Sequence, residues 1–203
     1  DYMPTSTFFN LKDEKRETII SVVKKEFERV PLSKLSVKRI VEGSYIARGS
    51  FYQYFLSKED LIEYVLKEDF FNVKNRIIKL LEKNNGNIFE MSYEYLDHAV
   101  EEEKSRTNYY LHVSEFLKEN NIWLFDLLDV EEIKKYLDLT ILNFTSNYDL
   151  KILLRVIAMG LQITKMDILN DFISKEEGLK RFKRELIILK RGALKEENLW
   201  KLD

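Results

Sequence analysis

Apolar residues recur at helical spacing along most of the chain. Ile19, Ile20, Val23 and Phe27 form one stripe, with Asn10 as a cap and Asp13 and Glu14 in the first turn. Pro31 ends that helix. Ser36 then stands as the N-cap of a short helix carrying Val37, Ile40 and Val41. Gly43-Ser44-Tyr45-Ile46 breaks the pattern, and a second short helix over 48–54 sets Phe51 and Phe55 on one side. Ser57 to Asp60 reads as a capping box with Asp in the place of Glu or Gln. It opens a long helix through Leu61, Ile62, Val65, Leu66, Phe70, Val73, Ile77 and Leu81, which stops at Asn84-Asn85-Gly86. Further helices are expected at 87–104, 107–120, 130–143, 147–171 and 175–196.

The 203 residues include only 2 prolines and 6 glycines, and period-two runs of β-branched residues are few. The expected fold class is therefore all-α. A small three-helix N-terminal domain at 10–57 precedes a larger helical domain at 58–203, with the helix 58–83 linking the two. The absence of cysteine excludes a disulfide framework, a thiol nucleophile and a cysteine-ligated metal. No apolar run approaches the roughly 18–20 residues of a membrane span. No basic leader with a long apolar segment is visible, so a cytoplasmic chain with no membrane partner is expected.

Charge changes the picture more than composition does. The net charge of −2 divides into +4 over residues 1–58 and −6 over the remainder. A basic head on an acidic body suits a polyanion bound at the head. Two helices of about seven residues joined by a four-residue turn, braced by a longer helix, fit a helix-turn-helix. In that arrangement Phe51 and Phe55 face inward with Ile40 and Ile46, while Arg48, Gly49, Ser50, Gln53 and Tyr54 face outward. Arg48 has the two donors that guanine accepts, Gly49 and Ser50 allow close approach, and Gln53 reaches a base edge or the backbone. Lys38 and Arg39 lie on the helix that crosses the phosphates. Lys58 adds its charge to a helix N-terminus.

Ser36-Val37-Lys38-Arg39-Ile40-Val41, Ile46 to Phe55 and Ser57-Lys58-Glu59-Asp60-Leu61 together resemble the TetR/AcrR family signature. The resemblance spans residues 10–66 and is densest from Gly49 to Leu61. It implies that Arg48, Gly49 and Ser50 face bases and that Ser36, Lys38, Tyr52, Tyr54 and Lys58 contact phosphates. Two positions depart from the pattern: Tyr45 replaces the usual turn glycine, and Ala47 replaces a frequent serine. The resemblance further implies an all-helical homodimer, paired through the helices at 147–171 and 175–196 and bound to a palindromic operator in double-stranded DNA. Residues 58–203 would then hold effector binding and dimerisation. The chain would be a ligand-responsive transcriptional regulator, a repressor released from its operator by a small apolar or aromatic effector. The implied pocket draws on Met91, Tyr95, His98, Tyr109, His112, Phe116, Trp123, Phe144, Met159, Gln162 and Met166, which combine adaptable thioethers, flat rings and a few polar groups.

His98 and His112 are the only histidines, and the residues three before them are Tyr95 and Tyr109, not the Glu of a helical di-iron pair. No metal or cofactor is expected. No nucleophile, phosphate loop or oxyanion motif accompanies the carboxylates of the body, so an enzyme is not expected either. A helical enzyme with an incidental motif and an interaction module with a DNA-incompetent head are the competing readings.

Overall fold

A computed structural model describes residues 4–120, 122, 130–143 and 146–191. Two compact units share them: residues 4–76 with 106–122, and residues 77–105 with 130–191. Every described element is helical, and most boundaries expected from the apolar pattern recur. The first unit holds α1 (Ser6–Phe9), α2 (Asp13–Arg29), α3 (Val37–Gly43), α4 (Arg48–Tyr54), the larger part of α5 (Lys58–Lys83) and α7 (Thr107–Glu119). The second holds the end of α5, α6 (Ile88–Lys104), α8 (Val130–Lys134), α9 (Asn147–Leu169) and α10 (Lys175–Arg191).

The capping box forms as the sequence suggested: the Ser57 N–H donates to Asp60 Oδ2 at 3.0 Å and the Asp60 N–H to Ser57 Oγ at 3.1 Å. Asn10 does not cap α2. It follows α1, a single helical turn too short to show a periodicity, and α2 begins at Asp13. The core of the first unit is built from Phe8, Ile19, Val23, Phe27, Ile40, Phe51, Phe55, Leu61 and Val65, all fully buried.

Helix α7 packs along α2 in this first unit. The Tyr109 ring stacks on Phe27 at 5.7 Å, and its hydroxyl donates to Asp69, which also pairs with Lys24 at 2.5 Å. Burial and the Asp69 carboxylate together push the Tyr109 phenol well above its usual pKa. Arg106 pairs with Glu28 through Nε at 2.5 Å and lies over the Tyr109 ring, while His112 Nδ1 lies 2.6 Å from the Phe27 carbonyl oxygen. Tyr109, His112 and Phe116, expected with the body, therefore belong to the head: Tyr109 and Phe116 join its core and His112 meets the Phe27 carbonyl.

In the second unit α6, α9 and α10 pack on one another around Leu96, Ala99, Leu154, Ile157, Ile168, Phe182 and Leu186. The close approach of α9 and α10 depends on a missing side chain: a Cβ on Gly178 would fall 2.4 Å from Ile168 Cδ1. The helix expected over 130–143 is shorter, ending at Lys134. The chain turns where the Asp138 N–H donates to the Gly86 carbonyl at 2.9 Å, and Asp138 then accepts from Thr140 N and Oγ1 to start a 3₁₀ turn at Leu139–Ile141. Gly86 has φ 76°, and a Cβ there would meet Asp138 N at 2.4 Å.

Between α6 and α9, Lys165 Nζ and Glu103 Oε2 stand 2.8 Å apart with side chains only 8% and 6% exposed. Removing one partner leaves a buried charge without its counterion, so Lys165→Met is expected to cost about 3–5 kcal/mol in urea unfolding. Combining it with Glu103→Leu should restore most of that loss. A double variant no more stable than the single one would show that the pair is not what holds this contact.

Candidate nucleic-acid interface

Helix α4 has seven residues, too few to be stable alone, and its position comes from three anchors. Phe51 and Phe55, both fully buried, fix its inner face. At its C-terminal end Thr5 donates twice, from N to the Tyr54 carbonyl at 3.0 Å and from Oγ1 to the Gln53 carbonyl at 2.6 Å. Phe8 behind it sits 4.9 Å from the Phe55 ring. The third anchor is the turn before α4. There the Ile46 N–H donates to the Val41 carbonyl at 3.0 Å and the Tyr45 N–H to the Glu42 carbonyl at 3.3 Å, a Schellman closure of α3 with Tyr45 in the left-handed region at φ 52°. Lys15 Nζ caps the same turn, donating to the Ser44 carbonyl at 2.7 Å and the Tyr45 carbonyl at 3.2 Å. The turn thus adopts the conformation that glycine usually supplies, with tyrosine in its place.

Arg48, Gly49 and Gln53 are exposed on the outer face of α4, with Ser50 half-buried beside them. Gly49 has open space around it: a Cβ there would meet no heavy atom within 4 Å. Tyr52 is 47% exposed, its ring edge-on to Phe51. Tyr54 departs from the expectation. It faces inward, 8% exposed and 6.1 Å from the Phe8 ring, because α1 covers the side of α4 that the sequence left open.

On α3, Lys38 is 79% exposed at its side chain and 3.9 Å from Glu42. Ser36 occupies the N-cap position, but its hydroxyl makes no capping bond. Arg39 Nε bonds Glu26 Oε1 at 3.1 Å, and Arg29 holds the same carboxylate. Arg29 chiefly, with Arg39 assisting against burial, keeps the Glu26 carboxyl below its usual pKa. Lys58 Nζ donates to the Ser33 carbonyl at 2.8 Å and lies 3.7 Å from Glu59. Arg39 and Lys58 are therefore cations held in position by hydrogen bonds, whereas the Arg48 and Lys38 side chains are exposed to solvent.

The residues suggested for an effector divide between the units. Tyr109, His112 and Phe116 lie in the first. In the second, Met91 and Tyr95 are buried on α6, and Gln162 and Met166 are half-buried on α9, which packs against α6. Gln162 Oε1 is buried without a hydrogen-bond partner. Met159 is exposed on α9, and His98 is exposed 4.0 Å from Glu94. Trp123 and Phe144 lie outside the described residues. A cleft of about 590 Å³ in the first unit is lined by Arg16, Lys24, Tyr64, Glu68 and Arg106 among others, and by none of the suggested residues. Among the described residues no helix is long and apolar enough to cross a membrane, and no group of three His, Asp or Glu is placed to hold a metal ion.

The sequence reading missed Thr5, Phe8 and Lys15. Phe8-Phe9, an apolar pair standing outside the α2 stripe, was the available signal for the first two. Nothing local marks Lys15, whose acceptors lie 29 and 30 residues away.

A small helix-turn-helix head with an exposed polar face on its second short helix is an arrangement suited to the major groove of DNA. Residues 19–65 match the family model described as bacterial regulatory proteins, tetR family. The match covers 47 of the 203 residues, so the likeness to that family is one of the head. Comparison with curated proteins finds no match. Among solved structures, the fold is similar to a TetR family transcriptional regulator from Chloroflexus aurantiacus J-10-FL. That likeness has 21% identity and a TM-score of 0.51, over 94% of this chain and 98% of that one. It is also similar to Salmonella enterica GusR, with 14% identity and a TM-score of 0.61 over 90% and 99% of the two chains.

Proposed function

We propose that this chain is a homodimeric repressor that reads a palindromic operator through Arg48, Gly49 and Ser50 and leaves it when a small apolar or aromatic effector binds. The observation that carries the DNA contact is Gly49. Glycine inside a helix costs about 1 kcal/mol relative to alanine, and no neighbour in the chain requires it. The space it leaves serves a partner from outside, and Arg48 beside it carries the bidentate donors that read guanine. Ser36, Lys38, Arg39, Tyr52 and Lys58 surround that face as phosphate contacts, and Gln53 reaches a base edge or the backbone. The Tyr54 hydroxyl is the one group its inward-facing ring has left to offer a phosphate.

The dimer reading rests on α9. Tyr148, Ile152, Val156, Met159 and Ile163 are spaced as one helix face and are each 42% or more exposed, with Ile188 of α10 at 47%. A monomer rarely leaves so continuous an apolar stripe in water. A dimer on a palindromic operator would present its two α4 helices about 34–36 Å apart, one turn of B-DNA. Effector binding draws support from Gln162, whose orphan acceptor is costly unless a ligand satisfies it. Met91, Tyr95 and Met166 provide apolar surface on the same pair of packed helices. An effector that binds one head spacing better than another shifts the population away from the DNA-bound form.

Fluorescence anisotropy against DNA from upstream of the chain's own coding region tests the operator contact. Gly49→Ala is expected to raise helix stability by about 0.5–1 kcal/mol while weakening operator binding. Arg48→Ala should weaken specific binding by about 1–3 kcal/mol and relax preference at one base pair. Equal weakening on all sequences would rule out a base contact by Arg48, and absence of salt-dependent binding by the unaltered chain would rule out the operator reading. Val156→Asp should convert the protein to a folded monomer in sedimentation experiments; a dimer that survives the charge places the interface elsewhere. Native mass spectrometry of the protein as purified should show a retained small molecule whose occupancy falls in Gln162→Leu. Occupancy that is unchanged in the variant removes Gln162 from the site.

A further inference from the structure

Tyr45 is 88% exposed, and its backbone lies in the left-handed region at φ 52°. Both features weigh against the residue within its own fold. A side chain in that region crowds the following carbonyl, and an aromatic ring left in water gains nothing from burial. Yet the backbone beneath it is held by several hydrogen bonds. Lys15 Nζ grips the Ser44 and Tyr45 carbonyls at 2.7 and 3.2 Å, Ser44 Oγ bonds the Ile40 carbonyl, and Ile46 N–H closes on Val41 at 3.0 Å. The ring therefore projects from a fixed point. That point precedes Arg48 by three residues, so at most about 11 Å of chain separates the two Cα atoms. A turn leading into a helix that enters the major groove stands at the groove edge, where the phosphates run.

We propose that the Tyr45 phenol is a further DNA contact, donating a hydrogen bond to a phosphodiester oxygen beside the bases that Arg48 reads. This rests on the operator reading above. Tyrosine hydroxyls are suitable donors to phosphate oxygens, and a neutral donor positions the protein without neutralising a phosphate charge. The contact fixes the entry angle of α4 at its N-terminal side, as a complement to the cations on α3 and Lys58. Its chemical signature is distinct from theirs. A lysine contact releases a counterion and steepens the salt dependence of binding, whereas a phenol contributes affinity with no such release.

Two variants of the full chain, titrated with an operator fragment at several salt concentrations, test the assignment. Tyr45→Phe keeps the ring and the backbone and removes only the hydroxyl; it should lose about three- to tenfold in affinity on every sequence, with an unchanged slope of log K against log salt. Tyr45→Gly should lose at least as much while its thermal midpoint rises, because glycine relaxes the turn. That opposition between stability and binding separates a DNA contact from a structural role. Binding within twofold of the unaltered chain for either variant overturns the proposal, as does a changed salt slope in Tyr45→Phe. If the unaltered chain binds no DNA, the operator reading falls first and this one with it. If it binds and both variants bind equally well, only the Tyr45 assignment falls.

Discussion

A recognition helix of seven residues cannot hold itself in shape, and the organisation of the head follows from that constraint. Two helical turns bury little and leave most of their terminal N–H and C=O groups without intrahelical partners. The chain meets both needs from outside the helix. Phe51 and Phe55 are driven into a core assembled by α2, α3 and α5, while Thr5 satisfies the carbonyls at the end of α4. Lys15 and the Schellman closure hold the turn at its beginning. With the inner face fixed in this way, the outer face is free to carry Arg48, Gly49 and Ser50, residues that would contribute little to a core.

The same economy explains why α7 belongs to the head. Helices α1 to α5 alone would leave Phe27 and the C-terminal end of α2 open to water. Helix α7 closes that side with Tyr109 on Phe27 and His112 at the Phe27 carbonyl, and Arg106 completes it through Glu28. Its polar contacts are specific as well as stabilising, since the Tyr109 hydroxyl and Lys24 share one carboxylate, Asp69. A partly buried network of this kind favours one packing arrangement over its neighbours. In the second unit the corresponding role falls to shape. Gly178 lets Ile168 sit against α10, and the Lys165–Glu103 pair occupies the contact of α9 with α6.

How much of this could be read in advance depends on the range of each interaction. The helix boundaries within residues 36–61 were legible because their signals are local: a four-residue capping box, an apolar pair four apart, a break at Gly43-Ser44-Tyr45. The long helices were legible for a related reason, since a stripe at i, i+3 and i+4 repeats often enough to be recognised. The Tyr45 turn was legible only as a difficulty. Its solution depends on Lys15, a residue on another helix. Tyr54 was misjudged because its inward face is defined by α1, which is too short to announce itself.

The amino-acid sequence by itself determined the helices, their order, the helix-turn-helix and the polar outer face of α4. Each of these rests on contacts within a few residues, where spacing along the chain and proximity in space are nearly the same. Tertiary structure alone decided that α7 joins the head, that Thr5 and Lys15 brace the recognition helix, and that Gln162 buries an acceptor without a partner. It alone decided that an apolar stripe on α9 stays in water. Those features arise between residues far apart in the chain, where periodicity gives which face is apolar but not what that face will meet.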